Sequence, residues 1–135
     1  MRNKREYEIC KAVSQYLRMH PKKPLFHFDQ AGANLSKAQA GMMKALNSKR
    51  GFPDLFIAYP ARIGELADGS HYAHGMFLEI KHEDVKLFKK DGKTFTQPHF
   101  EEQNNYHREL HKMGYMACFA VGLDECIRLI DNWLN

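Results

Sequence analysis

The residues of this chain that are best suited to chemistry are one aspartate, one glutamate and one lysine in two short apolar segments. Asp54 follows a Gly-Phe-Pro turn and opens a run of strand-forming residues, while Glu79 and Lys81 lie two positions apart in a second run. Side chains alternate across a strand, so Glu79 and Lys81 share one face while Ile80 anchors the other face in the core. A charged pair on a core strand is costly without a partner or a function. If the two strands pair, Asp54 and Glu79 converge on one site.

Two convergent carboxylates favour a hard divalent cation. Mg²⁺ prefers oxygen ligands, usually a few carboxylates together with retained waters. Such an ion lowers the pKa of a bound water and neutralises charge that builds on a phosphate. A lysine beside it can hold the attacking water or stabilise the transition state. These residue types together predict the hydrolysis of a phosphodiester bond.

The elements that must position these residues form a mixed α/β pattern. Apolar periodicity, caps and turn residues predict helices over about 4–19, 38–46, 98–113 and 123–134, and strands over 25–28, 54–59, 76–81 and 115–121. Met42 and Met43 are expected to pack in the core, and residues 61–74 to form a polar loop or hairpin tip. Helices distributed between strands favour layers around one mixed sheet.

Composition limits the chain to few classes of protein. Its 135 residues suit one compact domain, and the 44% of hydrophobic residues suffice for a core. The net charge of +4 permits a nucleic-acid partner without requiring one. Three cysteines without C-x-x-C spacing argue against a disulfide framework and a zinc cage. The chain has neither a signal-peptide-like start nor a long apolar run, so we expect a cytoplasmic protein.

Pro53-Asp54 followed by Glu79-Ile80-Lys81 resembles the PD-(D/E)XK nuclease signature. Residues 49–55, residues 77–81, Glu102-Gln103 and Gly114-Tyr115 narrow the resemblance to the VRR-NUC family, the virus-type replication-repair nucleases. The match covers most of the chain in family order. It therefore implies a restriction-endonuclease-like α/β core and a single nuclease domain over residues 1–135. It also implies a stand-alone, phage-like member of phage or bacterial origin.

The resemblance implies a role for each site residue. Asp54 and Glu79 would be metal ligands, and the carbonyl group of Ile80 would complete the shell. Lys81 would be the catalytic lysine, and Gln103 would position water or phosphate.

An acidic residue of the first helix often contributes to the family's site. We prefer Glu6 because of its offset from the core position Val13, and Glu8 is the alternative. The chain departs from the family pattern at Cys10, where a glutamine is expected. The 25-residue step from Asp54 to Glu79 also contains a polar insertion without an assigned role.

The basic residues near these segments are candidates for DNA contact. Phosphate binding requires such side chains, although lysines in a loop are equally compatible with a solvated surface. The candidates are Lys49, Arg50, Lys86, Lys89, Lys90 and Lys93. His107 and His111 are one helical turn apart, but without an HExxH glutamate we interpret them as helix-surface residues rather than zinc ligands.

The sequence thus predicts a Mg²⁺- or Mn²⁺-dependent DNA endonuclease. The resemblance to stand-alone family members suggests a homodimer that cuts branched DNA, such as Holliday junctions. Two alternatives remain open, namely a non-catalytic DNA-binding module with a nuclease-like fold and a sequence-specific restriction or nicking enzyme of the same fold. A small-molecule metal hydrolase is disfavoured by the positive charge and the basic loops.

Overall fold

The computed structural model describes residues 3–29, 36–47, 51–62 and 72–135. In chain order the elements are α1 (Lys4–Met19), β1 (Leu25–Phe28), α2 (Lys37–Leu46), β2 (Leu55–Ala58), β3 (Ala61–Arg62), β4 (Tyr72–Ala73), β5 (Met76–Lys81), α3 (Pro98–Lys112), β6 (Met116–Val121) and α4 (Leu123–Leu134). Within these ranges, no helix is both long enough and apolar enough to cross a membrane.

Four strands form one mixed sheet in the order β1-β2-β5-β6. Strands β1, β2 and β5 pair antiparallel, whereas β5 and β6 run parallel and are connected through α3. Strands β3 and β4 form a separate two-stranded antiparallel sheet at the ends of the segment predicted to be a loop or hairpin tip. The predicted mixed sheet with flanking helices is confirmed.

One face of the sheet is covered by α1 and α4 and contains the apolar core. Leu78 and Ile80 of β5 pack there with apolar residues of both helices, among them Val13, Leu17 and Ile130. Asn3 caps α1, because its side chain accepts a hydrogen bond from the Arg5 backbone N–H at 2.8 Å. Leu17 and Ile130 are completely buried, so this face behaves as an ordinary close-packed interior.

The opposite face of the sheet is covered by α3 and is aromatic. Phe77 stacks on Phe56 with ring centroids 4.4 Å apart, and Phe52 packs edge-on against both Phe77 and Tyr106 of α3. Phe100, near the start of α3, is 3% exposed. Because side chains alternate along β5, Glu79 and Lys81 lie on this face with Phe77.

Helix α2 differs from its prediction. Ser36 and Gln39 form a capping box at the start of α2, but no residue of α2 is buried. Met42 is 66% exposed and Leu46 is 78% exposed, while Met43 is only half-buried. The expectation that Met42 and Met43 pack in the core was therefore wrong. Helix α2 does have an apolar side, but that side does not pack against the sheet.

Candidate active site

Strand pairing brings the two predicted carboxylates together. Leu55 of β2 is opposite Leu78 of β5, and one further step of this antiparallel register sets Asp54 opposite Glu79. The Ile80 backbone N–H donates a hydrogen bond to Asp54 Oδ2 at 2.8 Å. On the other side, the Asp29 N–H donates to the backbone carbonyl of Asp54 at 2.7 Å. Asp54 is thus held from both neighbouring strands.

The two carboxyl groups lie close together, with Glu79 buried and Asp54 half-buried. Glu79 is 4% exposed. Burial raises the pKa of Glu79 well above its ordinary range, and its hydrogen bond to Asp54 and the charge of Asp54 raise that pKa further. Lys81 opposes this shift, and Glu6 adds to it. The raised pKa of Glu79 reflects the cost of holding two negative charges close together at this place.

This donor set fits a hard divalent cation. Two adjacent carboxylates, one buried and one half-buried, provide the oxygen ligands that Mg²⁺ and Mn²⁺ prefer, and a bound cation would relieve the repulsion between them. Among residues 3–29, 36–47, 51–62 and 72–135, no three side chains of His, Cys, Asp or Glu form a group that could hold a metal ion. Any further ligands from this part of the chain would therefore be backbone carbonyl groups or amide or hydroxyl side chains, with water completing the shell.

Lys81 is buried beside this pair. Its side chain is 8% exposed, and its Nζ lies 3.7 Å from Glu79 Oε2. The same Nζ lies 4.9 Å from the centre of the Phe100 ring, in cation–π geometry. The Gly122 N–H donates to the Lys81 carbonyl at 2.8 Å, which secures the end of β5. A charge in such a dry, aromatic setting is weakly screened, so it acts strongly on whatever binds next to it.

The start of α1 is tied to the segment that follows β5. Arg5 forms ion pairs with Glu83 and with Asp84, the latter at 2.8 Å. The His82 backbone N–H donates to Glu6 Oε2 at 3.3 Å. Glu8, by contrast, is exposed and lies 3.8 Å from the Nζ of Lys11. Of the two acids considered on this helix, Glu6 is the one whose charge reaches Glu79.

A close backbone approach places Gln103 next to the turn before Asp54. Gly51 has φ +96°, and a Cβ there would lie 3.2 Å from the Glu102 carbonyl oxygen and 3.5 Å from the Gln103 Cα. Only glycine accommodates both the left-handed conformation and the contact. The Oε1 atom of Gln103 is buried and has no hydrogen-bond partner within the described residues. An unsatisfied buried acceptor is rare and indicates a position where a ligand or water completes the bonding.

His107 is a buried residue of this face that the sequence prediction assigned to the surface, and that prediction was wrong. It is 2% exposed, and its ring packs 4.8 Å from Phe119. Its Nε2 has no hydrogen-bond partner in the described part of the chain. Burial, followed by the charges of His111 and Lys81, lowers the pKa of His107 to about 4. The spacing of Phe100, Gln103 and His107 along one helical face was the available signal.

The predicted DNA-contacting residues fall in two groups. Lys49 and Arg50 lie outside the described residues. The residues Lys86, Lys89, Lys90 and Lys93 are exposed in the segment between β5 and α3.

His111, which was predicted to lie on the helix surface, is exposed. Its Nε2 lies 2.9 Å from the Ala117 carbonyl oxygen, so its ring has a structural contact.

The fold is that of a known class of domain. A solved structure described as a VRR_NUC domain protein superposes with a TM-score of 0.63, at 24% sequence identity, over 99% of this chain and 91% of that chain. No protein-family model matches the chain, and no curated protein matches it. The chain therefore has the mixed α/β fold of a VRR_NUC domain.

Proposed function

We propose that this protein is a metal-dependent nuclease that hydrolyses phosphodiester bonds in DNA. The observation that carries the proposal is the opposition of Asp54 and Glu79 on paired strands, with the ammonium group of Lys81 buried 3.7 Å from Glu79. The VRR_NUC-type fold supports it, because it matches the family that these residues resemble.

The carboxylates and the lysine would have different roles, in metal binding and in hydrogen bonding respectively. Asp54, Glu79 and the carbonyl group of Ile80 would hold one Mg²⁺ or Mn²⁺ ion. When bound, such an ion supplies an acidified water and neutralises charge on the phosphate. Lys81 would donate hydrogen bonds to the attacking water or to a phosphate oxygen, and its low-dielectric surroundings would strengthen that interaction.

Two further residues would complete the site. The buried Oε1 atom of Gln103 would accept a hydrogen bond from water at the scissile phosphate, which would give that atom the partner it otherwise lacks. Glu6 would act from the end of α1, where it accepts from the His82 N–H and adds negative charge near Glu79. Glu6 would therefore tune the cation affinity of the pair.

Cleavage of labelled DNA tests the proposal directly. The purified protein is incubated with duplex, flap and four-way junction DNA in Mg²⁺, in Mn²⁺ and in EDTA. We expect cleavage with either ion and none in EDTA, and no cleavage by Asp54→Ala or Lys81→Ala variants that keep the fold. If wild-type protein cuts no substrate with either ion, the proposal is overturned.

Glu6 and Glu8 provide a matched pair of variants on the same helix. Glu6→Gln should raise the concentration of Mg²⁺ needed for half-maximal cleavage, because a negative charge near Glu79 is lost. Glu8→Gln removes the same charge from an exposed position two residues away, and should leave the Mg²⁺ requirement unchanged. Equal effects of the two variants would count against a site role for Glu6.

We further propose that the protein acts as a homodimer on branched DNA such as a four-way junction. A two-fold dimer presents two equivalent sites and would cut a junction symmetrically. The exposed Met42 and Leu46 of α2 supply apolar surface that a second copy could bury. Sedimentation should give the mass of a dimer, and Met42→Lys combined with Leu46→Lys should give a monomer. A wild-type monomer would remove this part of the proposal.

The same cleavage experiment separates the alternative functions. Binding without cutting in either ion indicates a non-catalytic DNA-binding module. Cuts at one short sequence in duplex plasmid indicate a restriction or nicking enzyme. Cuts placed by the branch point, whatever the sequence, support the junction nuclease.

A further inference from the structure

The segment between β5 and α3 is a well-formed hairpin rather than an open loop. Phe88 and Phe95 form a β-bridge. The Lys89 N–H donates to the Thr94 carbonyl at 2.7 Å, and the Thr96 N–H donates to the Leu87 carbonyl at 2.8 Å. We refer to residues 85–96 as the basic hairpin. Its internal hydrogen bonds give it a defined shape to present to a partner.

The charge of the basic hairpin is positive on its outer side. Its four lysines, Lys86, Lys89, Lys90 and Lys93, are all exposed. The only acid within the hairpin is Asp91, and its carboxylate accepts hydrogen bonds from Thr94 and from the Lys93 N–H inside the turn. Glu83 and Asp84, which precede the hairpin, pair with Arg5. The nearby acids are thus engaged elsewhere, and the lysines face outwards for a polyanion.

An aromatic ring is exposed among these lysines. Phe88 is 43% exposed, and its ring lies against that of Phe95, with centroids 4.7 Å apart and planes 31° apart. One exposed apolar side chain is ordinary on a protein surface. Here, however, the Phe88 ring rests on Phe95. The Phe95 ring in turn packs on Phe119, with ring centroids 6.1 Å apart. The support fixes the ring and leaves part of it open to solvent.

The supported ring is connected to the candidate active site. Phe119 contacts Phe100 at 6.3 Å between centroids, and the Lys81 Nζ lies 4.9 Å from the Phe100 ring. A continuous row of rings therefore leads from Lys81 through the interior to the exposed ring of Phe88. The basic hairpin therefore packs on the same face of the sheet as Glu79 and Lys81.

We propose that Phe88 is a stacking platform for an unpaired nucleobase, with the hairpin lysines contacting the flanking phosphates. An exposed, supported aromatic ring within a cationic surface is the combination that binds single-stranded segments. Bases inside a continuous duplex already stack on one another and offer no free face. The proposal rests on the nuclease function and defines its substrate class as DNA with an unpaired or unstacked base near the cleavage point.

Equilibrium binding in EDTA tests this inference without any cleavage. Fluorescence anisotropy of the full chain is measured with a single-stranded oligonucleotide, a flap and a continuous duplex. Phe88→Ala and Phe88→Leu should weaken binding to the single strand and the flap by about 10-fold, since base–aromatic stacking is lost. Binding to duplex should change less than about 2-fold, because phosphate contacts dominate there. Phe88→Trp should retain wild-type affinity.

Two controls distinguish stacking from other effects. Tyr72→Ala removes another exposed aromatic side chain, 60% exposed on β4, and should leave all three affinities unchanged. Lys89→Ala should weaken binding to every DNA alike and make the salt dependence shallower. The flap also carries 2-aminopurine at its first unpaired position, and the fluorescence change on binding should disappear in Phe88→Ala.

Several outcomes would overturn the inference. The inference fails if Phe88→Leu retains full affinity for the single strand, or if Phe88→Ala weakens duplex and single-strand binding equally. In the second case the ring only supports the hairpin. If Phe88→Ala changes the mass of the free protein in solution without changing its DNA affinity, the ring forms a protein–protein contact instead, and the inference is overturned. If selective binding persists in a wild-type protein that never cuts DNA, the nuclease proposal fails while this inference stands.

Discussion

Strand β5 presents Leu78 and Ile80 to α1 and α4, and presents Glu79 and Lys81 to α3. All four side chains are nearly inaccessible to solvent. On the α1/α4 face, burial is matched by apolar contact on every side. On the α3 face, burial is combined with two adjacent carboxyl groups, of which Glu79 has a raised pKa, and with a lysine over an aromatic ring. Equal burial therefore has opposite meanings on the two faces of one strand.

The α3 face also contains polar atoms that the protein leaves unsatisfied. Gln103 Oε1 and His107 Nε2 are buried on the same side of α3, one helical turn apart, and neither has a hydrogen-bond partner in the described part of the chain. Leaving such a buried group without a hydrogen bond costs about 1–3 kcal/mol of stability. Stability given up in this way is typical of surfaces arranged for binding or catalysis. Substitutions on the two faces should therefore affect different properties of the protein.

The largest expected effect is the loss of activity in Lys81→Met. Methionine keeps an apolar chain of similar length but removes the charge. The cleavage rate should fall by about 10³-fold, as for the loss of a principal electrostatic contact in an active site. The free energy of unfolding should change less than in a core truncation, because the apolar chain is kept and Glu79, left without Lys81, can take up a proton instead of staying charged. Single-turnover cleavage and urea unfolding measure the two quantities.

The control for Lys81→Met is a truncation on the opposite face of the same strand, Leu78→Ala. The comparison of the faces would be wrong if Lys81→Met unfolded the protein as readily as a core truncation does. It would also be wrong if the variant cut DNA at the wild-type rate.

The second prediction addresses the apolar face through Leu78→Ala. Leu78 is completely buried, so truncation should lower the free energy of unfolding by about 2–5 kcal/mol. Cleavage by the folded fraction should remain at the wild-type rate, because the side chain points away from Glu79. Met19→Ala, at a position 73% exposed on α1, provides the control and should change stability by less than about 0.5 kcal/mol. A Leu78→Ala protein that is stable but inactive would contradict the division between the faces.

Much of this arrangement follows from the sequence. Alternation along β5 predicted that Glu79 and Lys81 share a face, and turn residues placed Asp54 at the start of the partner strand. The register that brings Asp54 opposite Glu79 depends on the pairing of β2 with β5, a non-local contact that periodicity does not specify. The apolar residues of α2 predicted a core helix, but amphipathicity shows only that a helix has an apolar side, not what covers it.

For the site residues too, tertiary contacts decide what sequence patterns do not specify. Gln103 follows from family resemblance, whereas its contact with the turn depends on the left-handed conformation of Gly51. His107 was assigned to the surface because the sequence around it lacks the glutamate that would indicate a zinc site. Its burial is decided by the way Phe119 and α3 pack together, which is a tertiary effect.

The third prediction concerns the pH dependence of stability that His107 causes. The pKa of His107 is lowered to about 4 in the folded protein from an ordinary 6.5. As the pH falls below about 6.5, the unfolded chain takes up the proton first, so protonation favours unfolding. The stability associated with the neutral ring is complete above pH 6.5 and is lost as the pH falls towards 4. The loss should approach about 3 kcal/mol relative to a variant without the imidazole.

His107→Leu isolates this contribution. Unfolding by urea is followed between pH 4 and 7 in EDTA for both proteins, and the difference between their stabilities is plotted against pH. Glu79 titrates in both proteins, so its contribution largely cancels. We expect wild-type stability to fall relative to His107→Leu across this window. A difference that is independent of pH would mean that His107 is not held neutral by burial.

The smallest expected effect on stability is that of Gln103→Leu, and it should be opposite in sign to that of Leu78→Ala. Leucine removes a buried acceptor without a partner, so unfolding should become about 1 kcal/mol less favourable or remain unchanged. Cleavage should nevertheless fall by about 10-fold if Gln103 positions water at the phosphate. Gln15→Leu, an exposed change on α1, should alter neither quantity. If Gln103→Leu destabilises the protein and leaves cleavage intact, Gln103 belongs with the structural residues and the α3 face contains one functional group fewer.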